Sequence, residues 1–306
     1  MFRSSTTIAT LGRGIALTLE HNGCDSRRMF EQVGLDIDLS YNPNARYDSA
    51  KVAELWRLAA AACDNPAFGL EVPQHLTPAL NPAFDAAFSF SENLLQALKR
   101  LCKMFHYVSE MGALELTQVG DSIFLEYRMT EENRAILSDE SVDAFFAALV
   151  HNIRQSIEPK FATKGVYFRR TAPVSTQAYE SLFLAPVHFD QALDKLELDV
   201  ALISKPLLGA NSEIAQLNEQ IILGYLQRAE RDEIVLKTRF HILSRLPYGE
   251  PSQESIASML NLSARQLRRK LQELDTSYSQ LLLQTRHEIA KKYLRQGKLP
   301  LSEITQ

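Results

Sequence analysis

"NLSARQLRRKLQEL" occupies residues 261–274, and its spacing decides how the C-terminal part of the chain folds. Leu267, Leu271 and Leu274 recur at i, i+4 and i+7, the interval that places side chains on one face of an α-helix. Burying that face turns Arg265, Arg268 and Arg269 outward, with Lys270 beside them and no acid among the four. Ser263 precedes the first helical residue and is the expected N-cap. Upstream, "PSQESIASML" (251–260) predicts a helix with Ile256, Ala257 and Leu260 inward, joined to the next by a short turn at "NLS". "DEIVLKTRFHILSRL" (232–246) predicts an amphipathic helix before both. Two short helices at this separation have helix-turn-helix spacing. Arginine grips guanine O6 and N7 bidentately and also neutralises phosphate, and the first turn of the second helix is the part that enters a major groove. The candidate DNA-binding residues are therefore Ser263, Arg265, Gln266, Arg268, Arg269 and Lys270. The same pattern fits a solvated basic face on a helical hairpin, and spacing alone leaves both readings open.

Charge distribution favours a division of labour. The 306 residues carry a net charge of -4. From Arg228 to Gln306 there are 14 lysines and arginines against 9 aspartates and glutamates, a net of +5, which leaves -9 for residues 1–227. A basic module on an acidic body points to a polyanionic partner for the module and a different role for the body. Hydrophobic residues at 45% and charged residues at 23% are ordinary for globular chains of about two domains. "MFRSSTTIATLGRGIALTLEHNG" lacks the apolar core and cleavage site of a secretory signal, and no apolar run approaches the roughly 18 residues that span a bilayer. The expected location is the cytoplasm. Cys24, Cys63 and Cys102 lie far apart and form no CxxC pair, so neither a disulfide framework nor a thiolate zinc site is expected, and they are expected as small buried hydrophobes. No G-x-S-x-G, P-loop, H-E-x-x-H or G-x-G-x-x-G occurs. Cys102 and His106 share a helix face at i, i+4 without an evident third or fourth ligand. No cofactor, no metal and no catalytic residue are expected.

Residues 1–210 are expected to form an α+β domain with helices packed on an antiparallel sheet. Ile8 to Asn22 predicts a helix ending at Gly23. "YDSAKVAELWRLAAAACDNP" (47–66) predicts another, with Val52, Leu55, Trp56, Ala59 and Ala60 at helical spacing. "SENLLQALKRLCKMFHYVSEM" (91–111) predicts a third, opened by Ser91 as N-cap and carrying Leu94, Leu95, Leu98, Leu101, Cys102 and Phe105. The period then falls to two. In "ALELTQVGDSIFLEYRM" (113–129), Leu114 and Leu116, then Ile123, Leu125, Tyr127 and Met129, alternate across a Gly120-Asp121 turn, a hairpin with one buried face. A helix from about Asp139 to Ile157 follows, then strand candidates at "GVYFR", "PVHFD" and "DKLELDV". Residues 211–231 are expected as a helical linker whose stripe Ile214, Leu217, Ile221, Ile222 and Tyr225 packs on its own domain or serves a homodimer. Residues 232–306 form the expected all-α domain.

The run from Pro251 to Thr305 resembles the DNA-binding domain of the AraC/XylS family of transcription regulators. Ile256-Ala257 and Leu260 fall where that family has its hydrophobic-Ala-x-x-hydrophobic helix, and "LSARQLRRKL" (262–271) is similar to its recognition helix. "TSYSQLLLQTRHEIAKKYL" (276–294), with Arg286, Ala290 and Leu294, resembles the long helix joining two helix-turn-helix units, and "LPLSEI" (299–304) resembles the start of the second. "DNPAFGLEVPQHLTPAL" (64–80), "SENLLQALKRLCKMFHYVSE" (91–110) and "YESLFLAPVHFDQALDKLELDVALISKPL" (179–207) resemble the arabinose-binding type of sensor domain. The resemblance implies a sequence-specific, effector-responsive regulator whose partners are operator DNA, a small-molecule effector, RNA polymerase and a second copy of the chain. It also implies that the second unit is truncated, that Thr305 stands where alanine is usual, that Lys298 to Gln306 frays for want of a partner, and that DNA binding is impaired. The alternative is an effector-binding or dimerising protein without specific DNA binding. The apolar supply in "FDAAFSF", "FHYVSEM" and "FFAALV" is expected to form core and to line an effector pocket between the sheet and its helices.

Overall fold

The computed structural model describes residues 5–76, 81–156, 161–246 and 249–296. They form two compact units that meet in sequence between Leu223 and Gly224. The expected behaviour of Lys298 to Gln306, and the packing of Tyr293, lie outside what is described.

The first unit opens with a β-branched run, "TTI", which pairs as a strand instead of extending the following helix. Strand β1 (Thr6–Ile8) lies antiparallel to β2 (Arg46–Asp48), with Thr7 opposite Tyr47. The expected helix from Ile8 therefore begins three residues later, as α1 (Leu11–His21), and stops before Gly23 at φ +74°. Helices α2 (Ser26–Gln32) and α3 (Ser49–Ala62) complete a cluster in which Ile15, Leu19, Phe30, Leu55, Trp56 and Phe68 are buried together. Asp48 caps α3 by accepting from the amides of Ala50 and Lys51. The ends of α1 and α3 bring Cys24 Sγ and Cys63 Sγ to 3.8 Å, although they stand 39 positions apart in sequence. All three cysteines are free and half-buried, so they are less enclosed than expected.

Helix α4 (Phe68–Glu71) approaches the later helix α8 (Asp139–Ser156) so closely that a Cβ on Gly69 would sit 2.2 Å from the carbonyl oxygen of Glu140. Only glycine permits that approach. After α5 (Pro82–Ser89), helix α6 (Leu94–Val108) is capped by Asn93, not Ser91, through a 2.9 Å bond from the Gln96 amide. Ser91 is fully buried and bonds instead to the Ala87 carbonyl and the Arg100 guanidinium, both at 2.9 Å.

The hairpin has the expected bounds. Strands β3 (Ala113–Val119) and β4 (Ser122–Arg128) turn at Gly120, φ +61°, and pair Leu114 with Tyr127 and Leu116 with Leu125. After α7 (Glu131–Ile136) and α8 come β5 (Gly165–Tyr167), α9 (Gln177–Phe183), β6 (Val187–His188) and β7 (Asp194–Asp199). The sheet order is β3-β4-β7-β5-β6. Every pairing is antiparallel except β5 with β6. The sheet is thus mixed at one edge, because α9 intervenes between β5 and β6 and a helical crossover returns the chain in the same direction. One face, with Ile123, Leu125, Tyr127, Val166, Leu196 and Leu198, packs on α6 and α8. On the other, Lys195 Nζ sits 4.5 Å from the centre of Phe124 and 4.6 Å from that of Tyr167, whose hydroxyl donates to Glu197 at 2.9 Å.

Short helix α10 (Val200–Ile203) leads to α11 (Ser212–Arg245), one continuous helix that takes in the expected linker from its second residue onward. Of its apolar stripe, Ile222 is buried, whereas Ile214, Leu217 and Ile221 are exposed. Glu219 holds α11 to α6 through Arg100 at 3.0 Å and Lys103 at 3.2 Å.

A buried ion pair fixes α8 in this unit. The Asp143 carboxylate is wholly inaccessible, contacts the Arg170 guanidinium, and accepts from the Tyr179 hydroxyl at 2.6 Å. Arg170 also donates to the Tyr179 oxygen at 2.9 Å. Removing one partner strands the other's charge in an apolar interior. Arg170→Ala is expected to destabilise the chain by about 3–5 kcal/mol, and the double variant Asp143→Leu/Arg170→Met to recover most of the loss, as read by thermal unfolding.

Candidate effector cavity and nucleic-acid interface

Two adjoining cavities lie within the first unit, among helices. The first, of about 160 Å³, is bounded by Leu11 of α1, Phe84, Asp85 and Phe88 of α5, Leu101 and Val108 of α6, and Phe145, Leu149 and His151 of α8. The second, of about 130 Å³, is bounded by Val52, Ala53 and Trp56 of α3, by Val72, by Phe105 of α6, and by Ala144 of α8. Leu11, Leu76, Val108, Phe145 and Ala148 border both. Residues from "FDAAFSF", "FHYVSEM" and "FFAALV" do line these spaces. The expected position between sheet and helices is not where they lie: of the five-stranded sheet only Tyr127 reaches a wall among the described residues. The sheet-facing side is filled by Phe146, Val150, Ile153, Phe168 and Leu196.

Among the described residues the acidic and basic side chains are confined to one end, while Thr7, Ser49, Ser109, Ser141 and Tyr127 bring hydroxyls to the wall of the second cavity. Asp85 borders the first cavity, and among the described residues its carboxylate has no hydrogen-bonding or ionic partner. Burial alone pushes its pKa up to about 7. The His151 imidazole, within 2.8 Å of the Gln155 amide, is held below its ordinary value by burial and then by Arg154, so it is neutral at pH 7. Asp85 is not among the residues that motif or periodicity singles out. The available signal was a single acid in the otherwise apolar "FDAAF".

The second unit presents the other candidate surface. Helix α12 (Gln253–Met259) is capped by Ser252, and α13 (Ala264–Gln272) by Ser263. Asn261 takes φ +55° in the turn between them, a conformation asparagine tolerates, and the Leu262 amide donates to the Ala257 carbonyl at 2.9 Å. Gln253 of α12 reaches the Ala264 carbonyl at 3.0 Å. Helix α14 (Tyr278–Gln296) closes the core, in which Ile242, Ile256, Leu267, Leu271, Leu281 and Leu282 are buried. Its Arg286 bonds Glu250 at 2.7 Å, and its Glu288 meets Arg239 of α11.

On α13 the two faces separate as the spacing predicts. Leu267 and Leu271 are inaccessible, Leu274 is half-buried, and Arg265, Arg268 and Arg269 are exposed. Arg265 and Arg268 have no ionic or hydrogen-bonding side-chain partner among the described residues, while Arg269 lies 3.6 Å from Glu273. Lys270 is half-buried. Ser263 and Gln266 act locally, on each other. Gln266 Oε1 accepts from the Ser263 amide at 2.8 Å, and Ser263 Oγ accepts from the Gln266 amide at 3.2 Å. This reciprocal capping box sets the angle at which α13 leaves the turn.

Residues 23–207 match the family described as the arabinose-binding domain of AraC transcription regulators, N-terminal. The chain belongs to that family. This AraC-type regulator is also similar to the ornithine utilization regulator of Pseudomonas aeruginosa, with 26% identity over 283 residues, covering 92% of this chain and 83% of the relative. Coverage of that extent takes in α12 and α13 as well as the sensor domain. The crystal structure of the transcriptional regulator CdpR from Pseudomonas aeruginosa superposes with a TM-score of 0.51 at 18% identity, covering 95% of this chain and 88% of that one; the likeness is one of fold. Among the described residues no helix is long and apolar enough to cross a membrane, and no group of three or more His, Cys, Asp or Glu side chains is arranged to hold a metal, Cys102 and His106 included.

The raised pKa of Asp85 has a defined sign in stability. The folded chain holds this proton more tightly than the unfolded chain, so the contribution of Asp85 falls as pH rises from about 4 to about 7 and is level above. Asp85→Asn is expected to match the parent at pH 4 and to exceed it by roughly 1–2 kcal/mol at pH 8, measured as a melting-temperature difference across pH.

Proposed function

We propose that this AraC-type regulator binds double-stranded DNA through α13 and a small, mainly apolar or amphipathic effector in the paired cavities of its first unit. The observation that carries the DNA reading is the pair Arg265 and Arg268, exposed on a helix whose opposite face is locked by Leu267 and Leu271. A guanidinium without an intramolecular partner is available for a base edge or a phosphate. Arg269 and Lys270 add positive charge for the backbone, and Ser263 and Gln266 hold the helix start in register while offering polar groups at its first turn. The function is regulatory, not catalytic. RNA polymerase is the downstream partner this reading implies.

Arg268→Ala is expected to weaken binding to a DNA site selected from a random duplex library by about tenfold or more, while affinity for unselected DNA changes little, because a base contact is worth about 1–3 kcal/mol. Lys270→Ala is expected to weaken both and to flatten the salt dependence. Mobility shifts over a salt series read both effects. If the chain selects no site at all, it is an effector-binding or dimerising protein without specific DNA binding.

Self-association is the second element of the proposal. Leu217 is 59% and Ile221 51% exposed, one turn apart on α11, and two such helices would cover each other's stripe. Leu217→Arg combined with Ile221→Arg is expected to convert a dimer to a monomer in light-scattering measurements at micromolar concentration; an unchanged mass would place any dimer contact elsewhere.

A further inference from the structure

The walls of the two cavities are chemically lopsided. Among the described residues, Asp85 and His151 are the only acidic or basic side chains that border either space, and no lysine or arginine does. The other polar groups at that end are mostly committed. Asn81 accepts from the Thr10 hydroxyl at 3.0 Å, and His151 and Gln155 bond each other. Asp85 is different: its carboxylate has no hydrogen-bonding or ionic partner among the described residues, and burial raises its pKa. A carboxylate on the wall of an apolar cavity with no counter-ion is a cost that a bound cation removes. A carboxylate ligand would face the opposite situation, with no cation to receive it and Asp85 to repel it.

Size narrows the class. An apolar cavity of about 150 Å³ holds a benzene-sized molecule, and the first cavity here is about 160 Å³ with a second of about 130 Å³ beside it. The common border of Leu11, Leu76, Val108, Phe145 and Ala148 is apolar throughout, so a body extending from Asp85 toward Trp56 first meets hydrocarbon and aromatic surface; the hydroxyls beyond it carry no charge, and Thr7 is bonded to Ser49 and Ser109.

We propose that the effector is a small amphipathic amine whose ammonium group pairs with Asp85 and whose apolar body lies along α8 toward Trp56. This rests on the reading of the cavities as the effector site. Pairing requires the Asp85 carboxylate ionised. His151 of α8, neutral at pH 7, is the one other titratable side chain facing the first cavity among the described residues; α1 and α6 contribute no charged group there. Amine affinity is therefore highest above pH 7 and declines below it as Asp85 takes up its proton.

Calorimetric titration of the full chain with three probes of one shape tests this: 2-phenylethylamine, 2-phenylethanol and 3-phenylpropanoate. The amine is expected to bind on the order of thirtyfold more tightly than the alcohol or the carboxylate. Asp85→Asn is expected to erase that preference. In the parent chain amine affinity is expected to fall about tenfold per pH unit below pH 7, a readout that needs no variant. Carboxylate or alcohol binding equal to that of the amine, or amine binding indifferent to both Asp85→Asn and pH, overturns the amine assignment. If in that case alcohol binding is abolished by Ala148→Phe, the cavities still stand as the effector site. Absence of binding by all three probes, and by the longer 4-phenylbutylamine, overturns the effector site and the amine assignment together.

Discussion

The buried Asp143 carboxylate, shared between the Arg170 guanidinium and the Tyr179 hydroxyl, sets the rotation of α8, and most of the first unit follows from that rotation. An α-helix advances about 100° per residue, so one fixed side chain determines where all the others point. With Asp143 directed at Arg170 and α9, the residues at i+3, i+4 and i+7, namely Phe146, Ala147 and Val150, are buried in the core against the sheet. Phe145, Ala148 and Asn152, on another face, border the cavities. Gly69 contributes the complementary condition, since only a residue without a Cβ lets α4 lie against the Glu140 carbonyl.

That rotation also explains why the open space lies among helices. The sheet face is covered by side chains of α6 and α8 that share one buried core with those of β4 and β7, as a close-packed interior demands. Between α1, α3, α5 and α8 the facing residues include Leu11, Ala53, Ala144 and Ala148, and the alanines on two of the walls leave volume that no other described residue fills. A ligand bound where several helices converge touches α1, α3, α5, α6 and α8 together, whereas a pocket in the sheet would require a hole in the most cooperative part of the core.

Helix α13 solves a different problem. It is held firmly on one side and exposes charge on the other. Two inaccessible leucines supply the hold, and the capping box fixes the start of the helix. Because Gln266 commits its carbonyl to the Ser263 amide, the polar residues at the first turn serve the geometry of the helix first, and Arg265 and Arg268, without a side-chain partner among the described residues, carry exposed charge.

Local periodicity determined much of this in advance. The leucine spacing of α13, the alternation of β3 and β4 across Gly120-Asp121, and the apolar faces of α3 and α6 are properties of nearest neighbours in the chain, so they are legible without knowing what packs on them. Family motifs in residues 251–305 and 64–207 extended the same reading to domain order. Tertiary structure decided the rest, because the deciding contacts join residues remote in sequence. Thr6 to Ile8 became a strand because Arg46 to Asp48 lay alongside. Asn93 displaced Ser91 as the cap because Ser91 was drawn to Arg100, and β6 ran parallel to β5 because α9 carried the chain across. Cys24 met Cys63, and Asp85, one acid among phenylalanines, acquired an isolated place on a cavity wall. Burial and isolation of a charge are properties of the folded surroundings, which no window of sequence contains.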